Sequence, residues 1–185
     1  MRHWLLTNTT YGTWLPGNER GSVTSVRDRR PGDPDVVSRI EHDRPSEPWE
    51  EHLPGIQRSS TALLKCPPIL LSQAKAELLL PQFQETAAHR NWELHAVAIM
   101  SSHFHMVVTV SGDPDPKRVL TDFKAYGSRI LNRTYEKPLS KTWWTMRGST
   151  RKLATLTARS AAIHYVLYKQ PNPLIVWSAE HGRLI

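Results

Sequence analysis

The chain has a single cysteine, Cys66, among its 185 residues. One thiol cannot form an intrachain disulfide, so the fold depends on its core and a reducing compartment is expected. No apolar run approaches the roughly 20 residues that a membrane-spanning helix needs. Met1 leads directly into a strand-like segment without a signal-peptide pattern. These absences argue against a disulfide-rich secreted domain and a membrane protein, and they predict a soluble cytoplasmic protein.

Acidic residues are outnumbered by basic ones. The 24 lysines and arginines exceed the 17 aspartates and glutamates, which gives a net charge of +7. Charge of this sign favours an acidic partner, with nucleic acid as the first candidate, although it says nothing about the fold. The chain also has seven tryptophans, and aromatic rings among cations can stack on unpaired bases.

The hydrophobic content of 39% is sufficient for one globular domain over residues 1–185. Within it, six of the 14 prolines lie between positions 16 and 54. Prolines interleaved with charges predict a long irregular insertion over residues 20–60. Such a loop is either flexible or contacts a ligand, here DNA, and the sequence leaves both interpretations open.

Outside the insertion, apolar periodicity and turn residues predict alternating strands and helices. Pro171 disfavours a helical conformation at the preceding residue, so the last helix should end near Gln170. The predicted elements are a strand over 3–11, a helix after Pro67-Pro68, strands over 92–100 and 103–111, a helix over 116–132, a short strand within 143–153 and a last helix. This order predicts an α+β fold with antiparallel pairing.

Two histidines stand out in the second strand of the central hairpin. His103 and His105 flank Phe104, and alternate side chains on a strand share one face. Two neutral imidazoles side by side form half of a metal site. The competing interpretation is that both are polar positions on the solvent face of an amphipathic strand.

A second signal lies about sixty residues later, where a helical segment carries Tyr165 ahead of Gln170. A tyrosine hydroxyl can attack a phosphodiester and form a covalent phosphotyrosine, while a cation neutralises charge on the non-bridging oxygens. Tyr126 is the other tyrosine on a predicted helix downstream of the histidines. Its neighbours Lys124 and Arg129 favour a scaffolding or backbone-binding role, so Tyr165 is the preferred nucleophile.

Together these segments resemble the single-tyrosine HUH transposases, in particular the REP-associated and IS200-like members. The resemblance rests on the His-hydrophobic-His strand, the basic helix over 122–133, the Tyr-Val-Leu run at 165–167 and the opening segment 4–17. It implies the HUH endonuclease fold, a ferredoxin-like antiparallel sheet with helices on one face. It also implies a small protein of the bacterial cytoplasm or nucleoid, either a monomer or a homodimer.

The implied activity is that of a DNA transposase with single-strand endonuclease and strand-transfer activity. It would nick and rejoin DNA at hairpin ends through a covalent 5′-phosphotyrosine, with Mg²⁺ or Mn²⁺ as cofactor. The resemblance assigns Tyr165 as the catalytic residue and His103, His105 and Gln170 as metal ligands. Relatives commonly have an amide at the position of Lys169, whose ammonium cannot coordinate a metal; Gln170 is next to it. Ser101-Ser102 likewise replace a frequent Pro-Asn.

Basic and aromatic side chains after the histidines are the predicted contacts to single-stranded or hairpin DNA. They are Lys124, Arg129, Arg133, Trp143, Trp144, Arg147 and Arg151. A catalytically weak or domesticated hairpin-binding protein on the same fold is the main alternative, because Lys169 departs from the family pattern. A replication initiator or relaxase would share the chemistry, but such proteins normally have longer chains and added domains.

Overall fold

The structure is a computed structural model that describes residues 1–18 and 53–184. Its contacts divide the chain into two compact units, one formed by Met1–Thr13 with Lys65–Ile185 and the other by Trp14–Leu64. Most of the predicted insertion over 20–60 lies outside the described residues. Its end differs from the prediction, because Pro54–Ala62 form helix α1. Pro54 stands in the first turn, where its fixed backbone angle suits a helix and its missing N–H costs nothing.

The larger unit contains the remaining helices and all of the strands found in the described residues. Chain order runs β1 (Arg2–Thr9), α2 (Gln73–His89), β2 (Glu93–Ile99), β3 (His103–Val110), α3 (Pro116–Thr134), β4 (Ser149–Leu153), α4 (Leu156–Tyr168), β5 (Ile175–Ser178) and β6 (Gly182–Arg183). None of the helices within 1–18 and 53–184 combines the length and apolar character that crossing a bilayer requires.

The strands form one antiparallel sheet in the order β4-β1-β3-β2-β5-β6. Its first four strands, with α2 and α3 as connections, have the order and βαββαβ sequence of a ferredoxin-like fold. The predicted α+β class and antiparallel pairing are therefore confirmed. The two short strands β5 and β6 were not predicted, since four residues or fewer give too little periodicity to identify a strand.

The helices cover both faces of the sheet, so the prediction that they lie on one face is wrong for α4. Helices α2 and α3 pack on the face that carries Leu6, Phe104 and Met106. Helix α4 packs on the other face, against apolar residues that include Val107. The physical reason lies in β3, where seven of eight residues are buried. A strand that is buried on both faces needs a covering layer on each.

Candidate active site

The two histidines of β3 lie side by side on the face covered by α4. Their ring centroids are 5.0 Å apart and the rings are nearly perpendicular. His105 is 8% exposed, whereas His103 is half-buried at the end of the strand. The alternation expected from the sequence therefore holds, but His105 does not face solvent. This burial contradicts the interpretation of His105 as a position on a wet strand face.

Helix α4 brings Tyr165 to these histidines. Thr155 caps the helix by accepting a hydrogen bond from the backbone N–H of Ala158, and Ala162 and Val166 are its buried positions. Tyr165 precedes Val166 and stands at the margin of this contact, with 42% of its surface exposed. Its ring centroid lies 5.6 Å from that of His105. The structure thus places the tyrosine beside the histidine pair, two features that are about sixty residues apart in the sequence.

The alternative tyrosine lies elsewhere. Tyr126 belongs to α3, which packs on the opposite face of the sheet from the histidines. The guanidinium of Arg129 lies 4.9 Å from the centroid of the Tyr126 ring. Only Tyr165 of these two is placed beside the histidine pair.

Burial determines the charge of His105. Removal of the ring from water, with a smaller contribution from the nearby His103, lowers its pKa from 6.5 to about 3. The imidazole is therefore neutral across the physiological range. Because only neutral imidazole can bind a metal, His105 is ready to act as a ligand without first losing a proton.

This depressed pKa has a consequence for stability. The unfolded chain takes up a proton on His105 near pH 6.5, but the folded ring does not until about pH 3. Its contribution to stability is complete above pH 6.5, and it decreases as the pH falls, by up to about 1.4 kcal/mol per pH unit. We expect His105→Asn to flatten the pH dependence of urea denaturation between about pH 6.5 and 4.5. The exposed control His164→Asn should keep the wild-type slope; equal slopes for both variants would contradict the assignment.

The Nδ1 atom of each histidine lies within hydrogen-bond distance of a hydroxyl group. Thr7 Oγ1 lies 2.6 Å from Nδ1 of His105, and Ser102 Oγ lies 2.9 Å from Nδ1 of His103. These contacts make Nε2 the candidate ligand atom of each ring. Sequence reasoning missed Thr7, because nothing local connects it with a strand almost a hundred residues later. For Ser102 the only signal was its place in the altered Pro-Asn position.

The predicted third ligand lies at the end of α4. Gln170 follows Lys169, the C-terminal cap of the helix, and its Nε2 donates a 3.0 Å hydrogen bond to the carbonyl of Tyr165. The amide is thus close to the backbone of the candidate nucleophile, and its role as a ligand stays a prediction. Among residues 1–18 and 53–184, no cluster of three or more His, Cys, Asp or Glu is arranged for a metal. A site here would consist of two imidazoles and an amide.

The prediction that Trp143 and Trp144 stack on DNA bases is wrong. They are only 5% and 2% exposed and belong to the core beneath α3. Trp143 Nε1 donates to Asn132 Oδ1, and Trp144 Nε1 donates to Ser128 Oγ and the carbonyl of Lys124. Buried indoles with satisfied N–H groups cannot offer a face to a base. The composition gives the number of tryptophans but does not show which of them are buried.

The four arginines predicted to contact DNA lie in two parts of the fold, two on α3 and two before or on β4. Arg129 and Arg133 lie exposed on α3, on the far face of the sheet from the histidines. Arg147 is exposed in the segment before β4. Arg151 is exposed on that edge strand, where it pairs with Leu5; Leu5 also pairs with Val107. Directly paired residues share a face, so Arg151 is on the His105 face of the sheet.

Lys124 is engaged within the protein. Its Nζ donates to the carbonyls of Thr145 and Met146 at 2.6 and 3.1 Å. Burial lowers the pKa of Lys124 to about 8. This side chain holds the segment after the tryptophan pair against α3, so a phosphate contact by Lys124 would compete with these two hydrogen bonds.

Comparison with known proteins finds a family model that matches part of the chain. Residues 69–159 match the family model described as "Transposase IS200 like". Over this segment the chain is similar to IS200-like transposases. The match includes His103 and His105 and ends before Tyr165, so the position of the tyrosine in this IS200-like chain is known from the structure alone.

One of the solved structures that match the chain is described as the REP associates tyrosine transposase bound to a REP hairpin. Its TM-score is 0.48 at 11% sequence identity, and the alignment covers 89% of this chain and 64% of that one. The IS200-like chain therefore spans less than two thirds of the length of this neighbour. A search of curated proteins found no match.

Proposed function

We propose that this IS200-like protein is a metal-dependent DNA transposase that cuts and rejoins single strands at hairpin ends. The observation that carries the proposal is the meeting of Tyr165 with His105 and His103 on one face of the sheet. A partly exposed hydroxyl beside two imidazoles combines a nucleophile with metal ligands. Few other functions need that combination on a basic protein.

The residues fit a divalent metal such as Mg²⁺ or Mn²⁺. His105 is neutral because burial depresses its pKa, and both rings are held through Nδ1 by hydroxyl groups. His103, His105 and the amide of Gln170 would hold the ion. When bound, it would neutralise charge on the non-bridging oxygens of the scissile phosphate.

The chain itself would supply the nucleophile. The Tyr165 oxygen attacks the phosphorus while its proton passes to water, and the bond from phosphorus to the 3′ oxygen breaks. The departing strand takes up a proton and ends in a 3′-hydroxyl, and the 5′-phosphate remains on Tyr165. Because a phosphodiester is exchanged for a phosphotyrosine, a second 3′-hydroxyl can reverse the step and join a new strand without ATP.

The first test is covalent attachment. A labelled hairpin with a single-stranded flank, incubated with the protein and Mn²⁺, should yield an adduct that survives denaturing electrophoresis. The adduct should be absent when a chelator replaces Mn²⁺. Failure to form it with either Mn²⁺ or Mg²⁺, while the hairpin still binds, would contradict the proposed activity.

Such a failure would favour a second candidate function, a hairpin-binding protein without turnover. The observation in its favour is at the end of α4, where Lys169, the C-terminal cap, occupies the position of the usual amide. An ammonium cannot coordinate a metal. Lys169→Gln would then be expected to raise adduct formation, whereas it should have little effect on a fully active enzyme.

Substrate shape provides an independent prediction. The protein should prefer a hairpin with a single-stranded flank over a linear duplex of the same length, because an unpaired strand can place its phosphate in line with Tyr165. Contacts from exposed cations such as Arg147 and Arg151 should make binding depend on salt, with a log–log slope of about −0.7 per single-strand phosphate neutralised. Competition binding at fixed salt measures the preference. Equal affinity for the two shapes would indicate nonspecific binding by charge.

A further inference from the structure

The hydroxyl of Thr7 has a defined place behind the histidine pair. Thr7 pairs directly with His105 across β1 and β3, and its Oγ1 lies 2.6 Å from Nδ1 of the ring. His105 is almost completely buried. Water therefore has little access to this nitrogen, and Thr7 is its hydrogen-bond partner inside the fold.

The position of one proton decides whether His105 can bind a metal. A neutral imidazole carries a single N–H, on either Nδ1 or Nε2. Ligation through Nε2 requires the proton on Nδ1, and that N–H needs an acceptor. The hydrogen bond made by one ring nitrogen selects which nitrogen keeps the proton.

We infer that Thr7 is a positioning residue: its Oγ1 accepts a hydrogen bond from Nδ1 of His105 and thereby keeps Nε2 unprotonated and directed toward the metal. The inference rests on the proposed metal site for its purpose, but the tautomer itself is a property of the metal-free protein. It can therefore be tested separately from the activity.

Ser102 is the corresponding hydrogen-bond partner of His103, but the contact is longer. Its Oγ lies 2.9 Å from Nδ1, and its carbonyl accepts hydrogen bonds from the N–H and hydroxyl of Thr10 and from the hydroxyl of Thr13. These bonds fix the backbone of Ser102. Because His103 is only half-buried, water can replace a lost serine hydroxyl there. Removal of Ser102 Oγ should therefore cost less than removal of Thr7 Oγ1.

The ring nitrogen resonances of His105 in metal-free, ¹⁵N-labelled protein test the inference. Wild type should show a protonated Nδ1 and an unprotonated Nε2. Thr7→Val keeps the shape and strand propensity but removes the acceptor, so the proton should move toward Nε2; Thr7→Ser should restore the wild-type pattern. Thr9→Val is the matched control, since it removes a hydroxyl from the same face of β1 that contacts Thr145 instead.

A second measurement connects the tautomer with the metal. Titration calorimetry with Mn²⁺ should give an affinity for Thr7→Val lower by about 10- to 100-fold, the usual effect of losing a partner of a ligating histidine. Thr7→Ser and Thr9→Val should bind like wild type, with Ser102→Ala between. An unchanged His105 tautomer in Thr7→Val, or wild-type Mn²⁺ affinity in that variant, would overturn the inference. Absence of Mn²⁺ binding in wild type would instead contradict the proposed metal site.

Discussion

Tyr165→Phe should abolish covalent attachment to single-stranded DNA and leave hairpin binding nearly unchanged. The substitution removes one oxygen, the atom that would attack phosphorus. It keeps the aromatic ring, whose centroid lies 5.6 Å from that of His105. Loss of a nucleophile reduces turnover by roughly 10³-fold or more, because no other group takes its place. The adduct is measured on denaturing gels with labelled hairpins, and binding is measured by titration of the same substrates.

Two other tyrosines provide controls for this experiment. Tyr168 is 60% exposed and lies one helical turn beyond Tyr165, so Tyr168→Phe removes a hydroxyl from the same helix. Tyr126→Phe removes one from α3, on the other face of the sheet. Both variants should retain the adduct. A surviving adduct in Tyr165→Phe, or its loss only in Tyr126→Phe, would refute the assignment of the nucleophile.

The parts of the site that depend on local periodicity were predictable from the sequence. His103 and His105 had to share a face because strand side chains alternate. Tyr165 was placed on the last helix by its apolar neighbours and by the proline after Gln170. These inferences need only a few adjacent residues, and the structure agrees with each of them.

What the sequence could not provide depends on contacts between distant segments. The pairing of Thr7 with His105 follows from the register of β1 against β3, and no local pattern specifies that register. The burial of Trp144 results from its position under α3, whereas composition alone suggested an exposed ring. Similarly, α4 covers the second face of the sheet because β3 is apolar on both sides, a point visible only after the strand order is known.

The distribution of charge also changes the expected mode of DNA binding. Arg129 and Arg133 are on the α3 side, but Arg151 is on the side that carries the histidines and Tyr165. One DNA strand in the candidate site would therefore be expected to contact Arg151 and not the α3 pair. Under the proposed function, the exposed α3 arginines would be available only to DNA on the other face of the sheet.

Replacement of both histidines should eliminate metal binding. We expect the His103→Ala, His105→Ala double variant to lose Mn²⁺ affinity by more than about 100-fold, because direct ligands matter at least as much as the groups that orient them. The covalent adduct should disappear with the metal. Titration calorimetry with Mn²⁺ measures the first effect, and denaturing gels measure the second.

A matched control removes two other imidazoles from the same face of the sheet. His3 Nδ1 and His95 Nε2 both lie 2.6 Å from Thr109 Oγ1, four residues along β3 from His105. That separation is about 13 Å on an extended strand, too far for either ring to share an ion with the candidate site. The His3→Ala, His95→Ala variant should therefore bind Mn²⁺ like wild type. If both double variants lose Mn²⁺ binding equally, the loss comes from general damage to the sheet. If the His103→Ala, His105→Ala variant binds Mn²⁺ normally, the ligands lie elsewhere and the chemistry assigned to Tyr165 has no metal beside it.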